Sequence, residues 1–425
     1  MSVQRYNFFL IYANMNETFY DILPTGVHIV LRKTPSEVVY VGILVGAGTR
    51  HEEEQYNGLA HYIEHCVFKG TYYRSARNII NTVEEVGGEI NAYTTKEETA
   101  YYVAVPRAHW KKAASLLSEM VLYPNFPYAE IEKEKAVIED EIESYEDSPS
   151  ELIYDDFEAL LFEGSKLALP ILGTKKTVER IAKSKGKVAK DWMRRYYRLD
   201  RMVFFVEGDV EMASVRNWAE RMFGEMAPDP QCTWHSEAPV CTAGAERVYK
   251  RHTHQSHVMI GGKAFTLYDE RQPGLYLLNN ILGGGSLNSR LNLSLREDAG
   301  LVYTIESQQN PLSDTGYWNI YFASDDEDRE RCLELVRKEL RRLREEKLSR
   351  YQLDKALRQL YGQMAISAEN RENRFLAMGK QVLYYGEAPT WQETFERVKR
   401  FTPEQLQEIA REVYDESQIV TLIYA

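Results

Sequence analysis

NGLAHYIEHCVFKG, residues 57–70, and PGLYLLNNILGGG, residues 273–285, share a pattern of small and apolar positions that decides the reading of the whole chain. Gly58 falls on Gly274 and Leu59 on Leu275, an offset of 216. The first stretch reads as a helix. Asn57 is a candidate N-cap, Leu59, Tyr62, Ile63, Cys66 and Val67 recur at helical spacing, and Gly70 ends the run. The neighbourhood repeats as well. VMIGGKAF (258–265) resembles the strand VVYVGILV (38–45), and DWMRRYYRLDRMVFFVEG (191–208) parallels EIAREVYDESQIVTLIYA (408–425) at an offset of 217. Between the copies runs MAPDPQCTWHSEAPVCTAGAE, whose prolines and small residues mark a linker. The expected organisation is two domains related by duplication, 1–225 and 245–425, joined by a linker at 226–244.

A chain of 425 residues is too long for one ordinary core and accommodates two. Strands are expected at GVHIVLRK (26–33), VVYVGILV, EINAYTT (89–95), TAYYVAV (99–105) and MVFFVEG (202–208). Helices are expected at 75–86, about 107–122 and about 127–146, the last opened by Pro127. The fold class is α+β, each domain a mainly antiparallel sheet covered by helices. Net charge is −12 with no Lys/Arg block, which argues against nucleic acid as a partner. No run reaches the roughly 18 apolar residues that span a bilayer, and the first residues read as no targeting segment, so the expectation is a cytoplasmic protein without a membrane partner. Cys66, Cys232, Cys241 and Cys332 form no C-x-x-C pair; Cys232 and Cys241 could close a small loop, but free thiols fit a reducing compartment better.

His61-Tyr62-Ile63-Glu64-His65 is the chemical signal. Residues four apart stack on one helix face, so both imidazoles can reach one ion. Zn²⁺ takes His nitrogen and carboxylate oxygen tetrahedrally, and a carboxylate next to a ligand, such as Glu64, suits a general base. In the second copy the same places hold Leu277, Asn280 and Ile281, which assigns the chemistry to the first domain. The third ligand must come from elsewhere, and Glu134, Glu139, Glu141 and Glu143 compete for it. Glu134 and Glu141 lie two turns apart on a face bordered by Val137, Ile138 and Ile142, which argues for burial.

On these residues the chain resembles the M16 zinc peptidases: pitrilysin, insulin-degrading enzyme and the mitochondrial processing peptidase. That family's H-x-x-E-H is followed about 76 residues later by a liganding Glu, with an acidic residue seven before it; here 141 − 65 = 76 and 141 − 134 = 7. The resemblance implies one zinc on His61, His65 and Glu141, with Glu134 orienting a ligand. It implies that GGEINAYTTKEETAYY (87–102) holds substrate as an added strand through Asn91, Ala92 and Tyr93. It implies too that Arg296 and Tyr303, seven apart in SRLNLSLREDAGLVY (289–303), hold the substrate and its oxyanion. Chains of this length resemble half of a clamshell that encloses a chamber, so the expectation is a homodimer cleaving unfolded peptides. Two alternatives stand beside it: a specific leader-peptide processing protease, and a non-catalytic scaffold of the same fold.

Overall fold

The computed structural model describes residues 17–224, 238–251 and 253–425. The first half contributes β1 (Glu17–Ile22), β2 (His28–Lys33), β3 (Val38–Val45), α1 (Leu59–Val67), α2 (Ala76–Glu84), β4 (Glu89–Thr94), β5 (Thr99–Pro106), α3 (Trp110–Leu122), α4 (Tyr128–Glu146), α5 (Pro149–Leu161), α6 (Lys175–Lys183), α7 (Lys187–Tyr196), β6 (Met202–Gly208) and α8 (Met212–Phe223). The second contributes β7 (Glu246–Tyr249), β8 (Ser256–Lys263), α9 (Gln272–Gly283), β9 (Ile305–Pro311), β10 (Gly316–Ser324), α10 (Arg329–Glu345), α11 (Arg350–Ser367), α12 (Arg371–Tyr385), α13 (Trp391–Lys399), α14 (Pro403–Val413) and β11 (Val420–Tyr424).

The duplication is carried by the topology. One sheet has the order β1-β2-β6-β3-β5-β4 and the other β7-β11-β8-β10-β9. Apart from β1, each strand of the first has a counterpart in the second, and the single parallel pair recurs in the same place, β2 with β6 and β7 with β11. All other pairings are antiparallel. The sequence reading missed β1, which pairs Glu17–Ile22 against β2.

The chain folds into two compact units that do not coincide with the sequence halves 1–225 and 245–425. Unit 1 gathers the described residues within Met1–Ile142, Pro170–Trp234 and Asn370–Ala388; unit 2 gathers those within Glu143–Leu169, His235–Glu369 and Pro389–Ala425. The halves therefore exchange a helix. Each sheet has two apolar faces, and local helices cover only one. In unit 1, α12 covers the second face, with Phe375, Met378 and Val382 against Val30, Leu44, Val203 and Phe205. Phe375 stacks on Phe205 at 4.3 Å between ring centroids. Gly42 and Gly379 leave room for that ring, since a Cβ would meet Phe205 at 2.3 Å and 2.9 Å respectively. In unit 2, α5 does the same with Ile153, Phe157 and Leu161 against Met259, Val420 and Leu422.

Of the expected linker, residues 226–237, Cys232 among them, lie outside the described residues. Cys66, Cys241 and Cys332 are free thiols. Among the described residues no helix is long and apolar enough to cross a membrane.

Candidate metal centre

The helix that carries the H-x-x-E-H residues starts one residue later than expected, and Asn57 does not cap it. Gly58 is the N-cap, at φ 92°, a left-handed conformation that glycine adopts without strain, and a Cβ there would meet the Leu172 carbonyl at 2.6 Å. The free N–H groups of the first turn go to a carboxylate from the preceding loop instead. Glu52 is fully buried and accepts from Gly58 N (2.8 Å), Ala60 N (2.6 Å) and Asn57 Nδ2 (3.1 Å). Burial pushes its carboxyl up to about 7, against the pull of those three hydrogen bonds. The sequence reading passed over Glu52, since HEEEQ looks like a solvated acidic run.

α1 then presents His61 and His65 on one face, ring centroids 4.6 Å apart. Tyr62, on the other side, donates its hydroxyl to the Ile131 carbonyl (2.6 Å) and so ties α1 to α4. α4 brings two carboxylates. Glu141 Oε2 lies 3.7 Å from His61 Nε2 and 3.5 Å from His65 Nε2. Glu134 Oε2 lies 3.2 Å from His65 Nδ1, and Glu134 Oε1 lies 2.9 Å from Lys69 Nζ. With Nδ1 donating to Glu134, Nε2 of His65 keeps its lone pair and faces Glu141. One donor atom from each of His61, His65 and Glu141 falls within 4.8 Å of the others. Glu139 pairs instead with Lys135 (3.7 Å).

The burial expected of the two acidic residues holds for one only. Glu134 is buried, while Glu141 is exposed and Val137 is 48% exposed. A metal ligand has to remain reachable, and a carboxylate that orients a ligand does not.

The trio fits a metal on its own chemistry. Burial, reinforced by the neighbouring His65, lowers the His61 pKa to about 3, so the ring is neutral and free to bind. Two imidazoles and one carboxylate are a zinc donor set, and three protein donors leave a coordination position for water or substrate.

Glu64 sits between the histidines in sequence and is half-buried. Burial raises its pKa, while a hydrogen bond from Thr94 Oγ1 and the nearby His65 act against that and Glu141 adds to it. Thr94 belongs to the 87–102 segment. It lies two residues beyond Ala92, hence on the same face of β4, and that face looks onto α1.

β4 ends the order of its sheet, so its outer edge has no strand partner among the described residues. Asn91 is exposed, Ala92 packs on the core beneath α1, and Tyr93 packs on the opposite face, beneath α12. Arg296 and Tyr303 belong to unit 2. Arg296 lies on a π-helical stretch, Asn292–Glu297, and its guanidinium stands 5.6 Å from the centre of the Tyr303 ring, which is 85% exposed. The structure brings these two together, and separately brings His61, Glu64, His65, Glu134 and Glu141 together in unit 1.

Comparisons with known proteins bear on the family. Residues 28–175 match the family described as Insulinase (Peptidase family M16), and residues 187–360 match the Peptidase M16 inactive domain. The chain is 32% identical over 399 residues to the uncharacterized zinc protease YmxG of Bacillus subtilis, covering 94% of this chain and 96% of that one. It is 26% identical over 413 residues to the mitochondrial-processing peptidase subunit beta of Caenorhabditis elegans, with 95% and 88% covered. The crystal structure of a protease from Helicobacter pylori matches in fold, with a TM-score of 0.88 at 19% identity over 96% of this chain and 100% of that chain. The two matched regions together span most of the sequence, and this chain belongs to the M16 family of peptidases.

Proposed function

We propose that the protein is a zinc-dependent endopeptidase that hydrolyses unfolded peptides, with Glu64 as its general base. The observation that carries this reading is the joint placement of three metal-donor atoms within 4.8 Å of one another and, on α1, a half-buried carboxylate one residue from a ligand, beside a free strand edge. The zinc named in several relatives supports the choice of ion. When bound, zinc supplies Lewis acidity, polarising the scissile carbonyl and making water more acidic.

The protein's own groups do the rest. His61 arrives neutral, and Glu134 holds the His65 ring in one orientation. Glu64 takes a proton from the attacking water at Oε and hands it to the leaving amine, and Thr94 steadies its second oxygen. The outer edge of β4, at Asn91, Ala92 and Tyr93, pairs with extended substrate main chain, which selects for unfolded peptides with little regard to sequence. Arg296 and Tyr303 serve the substrate carbonyl and the oxyanion of a partner copy in a homodimer; the 85% exposure of Tyr303 supports a role toward a group from outside its own unit. A specific processing role is the second reading, favoured by the similarity to the mitochondrial-processing peptidase subunit.

Elemental analysis together with hydrolysis of a quenched fluorescent peptide tests the reading. About one zinc per chain is expected, with cleavage abolished by chelation and restored by added zinc. Glu64→Gln should retain the metal and lose turnover by several orders of magnitude, because the proton acceptor is gone and the ligands are not. Protein that binds no zinc and cleaves no peptide after zinc is supplied would sink the proposal. A single cut in each precursor peptide, against many cuts in assorted peptides, separates processing from general degradation.

A further inference from the structure

Unit 2 carries a counterpart of the metal centre with the opposite charge. In the order of elements α9 answers to α1 and α11 to α4. Asn280 and Ile281 stand where Glu64 and His65 stand, since 280 − 64 and 281 − 65 are both 216. α11 begins at Arg350 and α4 at Tyr128, an offset of 222 that sets Ala356 against Glu134 and Gln363 against Glu141. The two helices are joined by an amide contact, Asn280 Nδ2 donating to Gln363 Oε1 at 2.8 Å. Where Ala356 is short and Glu134 long, a cavity of about 130 Å³ opens, walled by Asn280, Ile281, Ala356, Arg290, Gln352 and Lys355 among others.

No carboxylate is among the residues that line this cavity, and both of its charged groups, Arg290 and Lys355, are donors only. Arg290 Nη1 is buried without a hydrogen-bond partner. Its nearest carboxylate, Glu339, is 3.9 Å away and already accepts two bonds from Arg342, at 3.0 and 3.2 Å. Glu346 is also near and is engaged by Arg342 at 3.4 Å. Lys355 makes no ion pair among the described residues; the neighbouring Asp354 is taken by Arg350 at 3.3 Å. Gln352 uses its Oε1 to accept from Ser349 N (2.8 Å), which leaves its Nε2 group unpaired. Arg290, Arg342 and Lys355 against Glu339 and Glu346 leave one positive charge in excess. The volume equals about four waters at ~30 Å³ each, well below the ~300 Å³ or more of a drug-sized site. It matches a group of about four heavy atoms.

We propose that this cavity binds a small carboxylate, with Arg290 and Lys355 as its counter-charges and Gln352 Nε2 as a further donor. A planar carboxylate can take a guanidinium N–H on one oxygen and the ammonium on the other, satisfying the buried Arg290 Nη1 donor. Two carriers have this chemistry, a small organic acid and the C-terminal end of a short peptide. The proposal stands apart from the peptidase reading, because no residue of the metal centre enters it.

Calorimetric titration of the intact protein with acetate, with glycylglycine and with amidated glycylglycine tests it, repeated on Lys355→Met and Lys355→Arg. Lys355 is an exposed helix position, and thermal unfolding of each variant confirms that it folds. The free carboxylates should bind and the amide should not. Lys355→Met should weaken binding about tenfold or more, and Lys355→Arg should restore most of it. Glycylglycine binding tighter than acetate assigns the cavity to peptide ends, and equal affinity assigns it to small acids. No carboxylate binding up to about 50 mM, or binding that Lys355→Met leaves unchanged, overturns the proposal.

Discussion

Each side chain of the candidate metal centre has distinct surroundings, and these differ in how visible they are in sequence. His61, Glu64 and His65 announce themselves because one helix turn sets their spacing. Glu134 and Glu141 are separable only when their partners are known: Glu134 is buried between His65 and Lys69, while Glu141 is exposed and faces both Nε2 atoms. Glu134→Gln should therefore spare the fold but lower zinc affinity about 10–100-fold in a chelator competition assay, since the carboxylate that orients His65 is lost; unchanged affinity would show that Glu134 orients nothing. Glu52 is the residue that sequence reasoning could not find. Its folded pKa is about 7 against 4.5 for the free group, so ionisation acts against the fold. The sign follows: its contribution is fully present below about pH 4.5 and is lost as pH rises from there to about 7. The span of about 2.5 units corresponds to roughly 3 kcal/mol at an order-of-magnitude level. In chelator-treated protein, Glu52→Gln should be less sensitive to pH over that window, so its urea midpoint gains on the parent's as pH increases. A constant difference between the two across pH 5–8 would rule out Glu52 as the source.

Elements divide along the same line. Alternating β-branched strands and amphipathic helices are local patterns, and β2 to β6, α1 to α4 and, in the second copy, β8, α9, α14 and β11 were legible because the pattern is written in neighbouring residues. β1 was missed because ETFYDI, with its exposed Glu17 and Tyr20, carries no strong alternation. The placement of α5 and α12 was illegible for another reason: each is an ordinary amphipathic helix, and nothing local says which sheet its apolar face will meet. Buried Glu207 on β6 helps hold α12, drawing in Arg374 and, at 3.5 Å, Arg371. Phe375→Ala should destabilise unit 1 by about 3–5 kcal/mol, although residue 375 lies in the second half of the chain. Hydrogen exchange should show lost protection in β2, β3 and β6 with unit 2 little changed; uniform loss across both sheets would contradict the exchange of helices.

At the scale of the whole molecule, the proposed homodimer makes a sharp demand. Glu64 and Tyr303 are placed in different units, and if each centre draws its Tyr303 from the other copy, Glu64→Gln and Tyr303→Phe proteins should each be nearly inactive alone. Mixed one to one and allowed to exchange, half the dimers would carry one intact centre of two, restoring about a quarter of parental activity. A mixture as inactive as its parts would refute sharing between copies. The sequence by itself determined the duplication, the α+β class and the family, and it named His61, Glu64, His65, Glu134 and Glu141 as the candidate site, because repeats, periodicity and motif spacing are properties of the chain order. Only the tertiary structure decided that the halves exchange α5 and α12, that Glu52 rather than Asn57 serves the first turn of α1, that Thr94 donates to Glu64, and that unit 2 holds a cavity lined by Arg290 and Lys355 at the place that answers to the candidate metal centre. Each of those depends on contacts between residues far apart in sequence, whose burial and pairing no local pattern encodes.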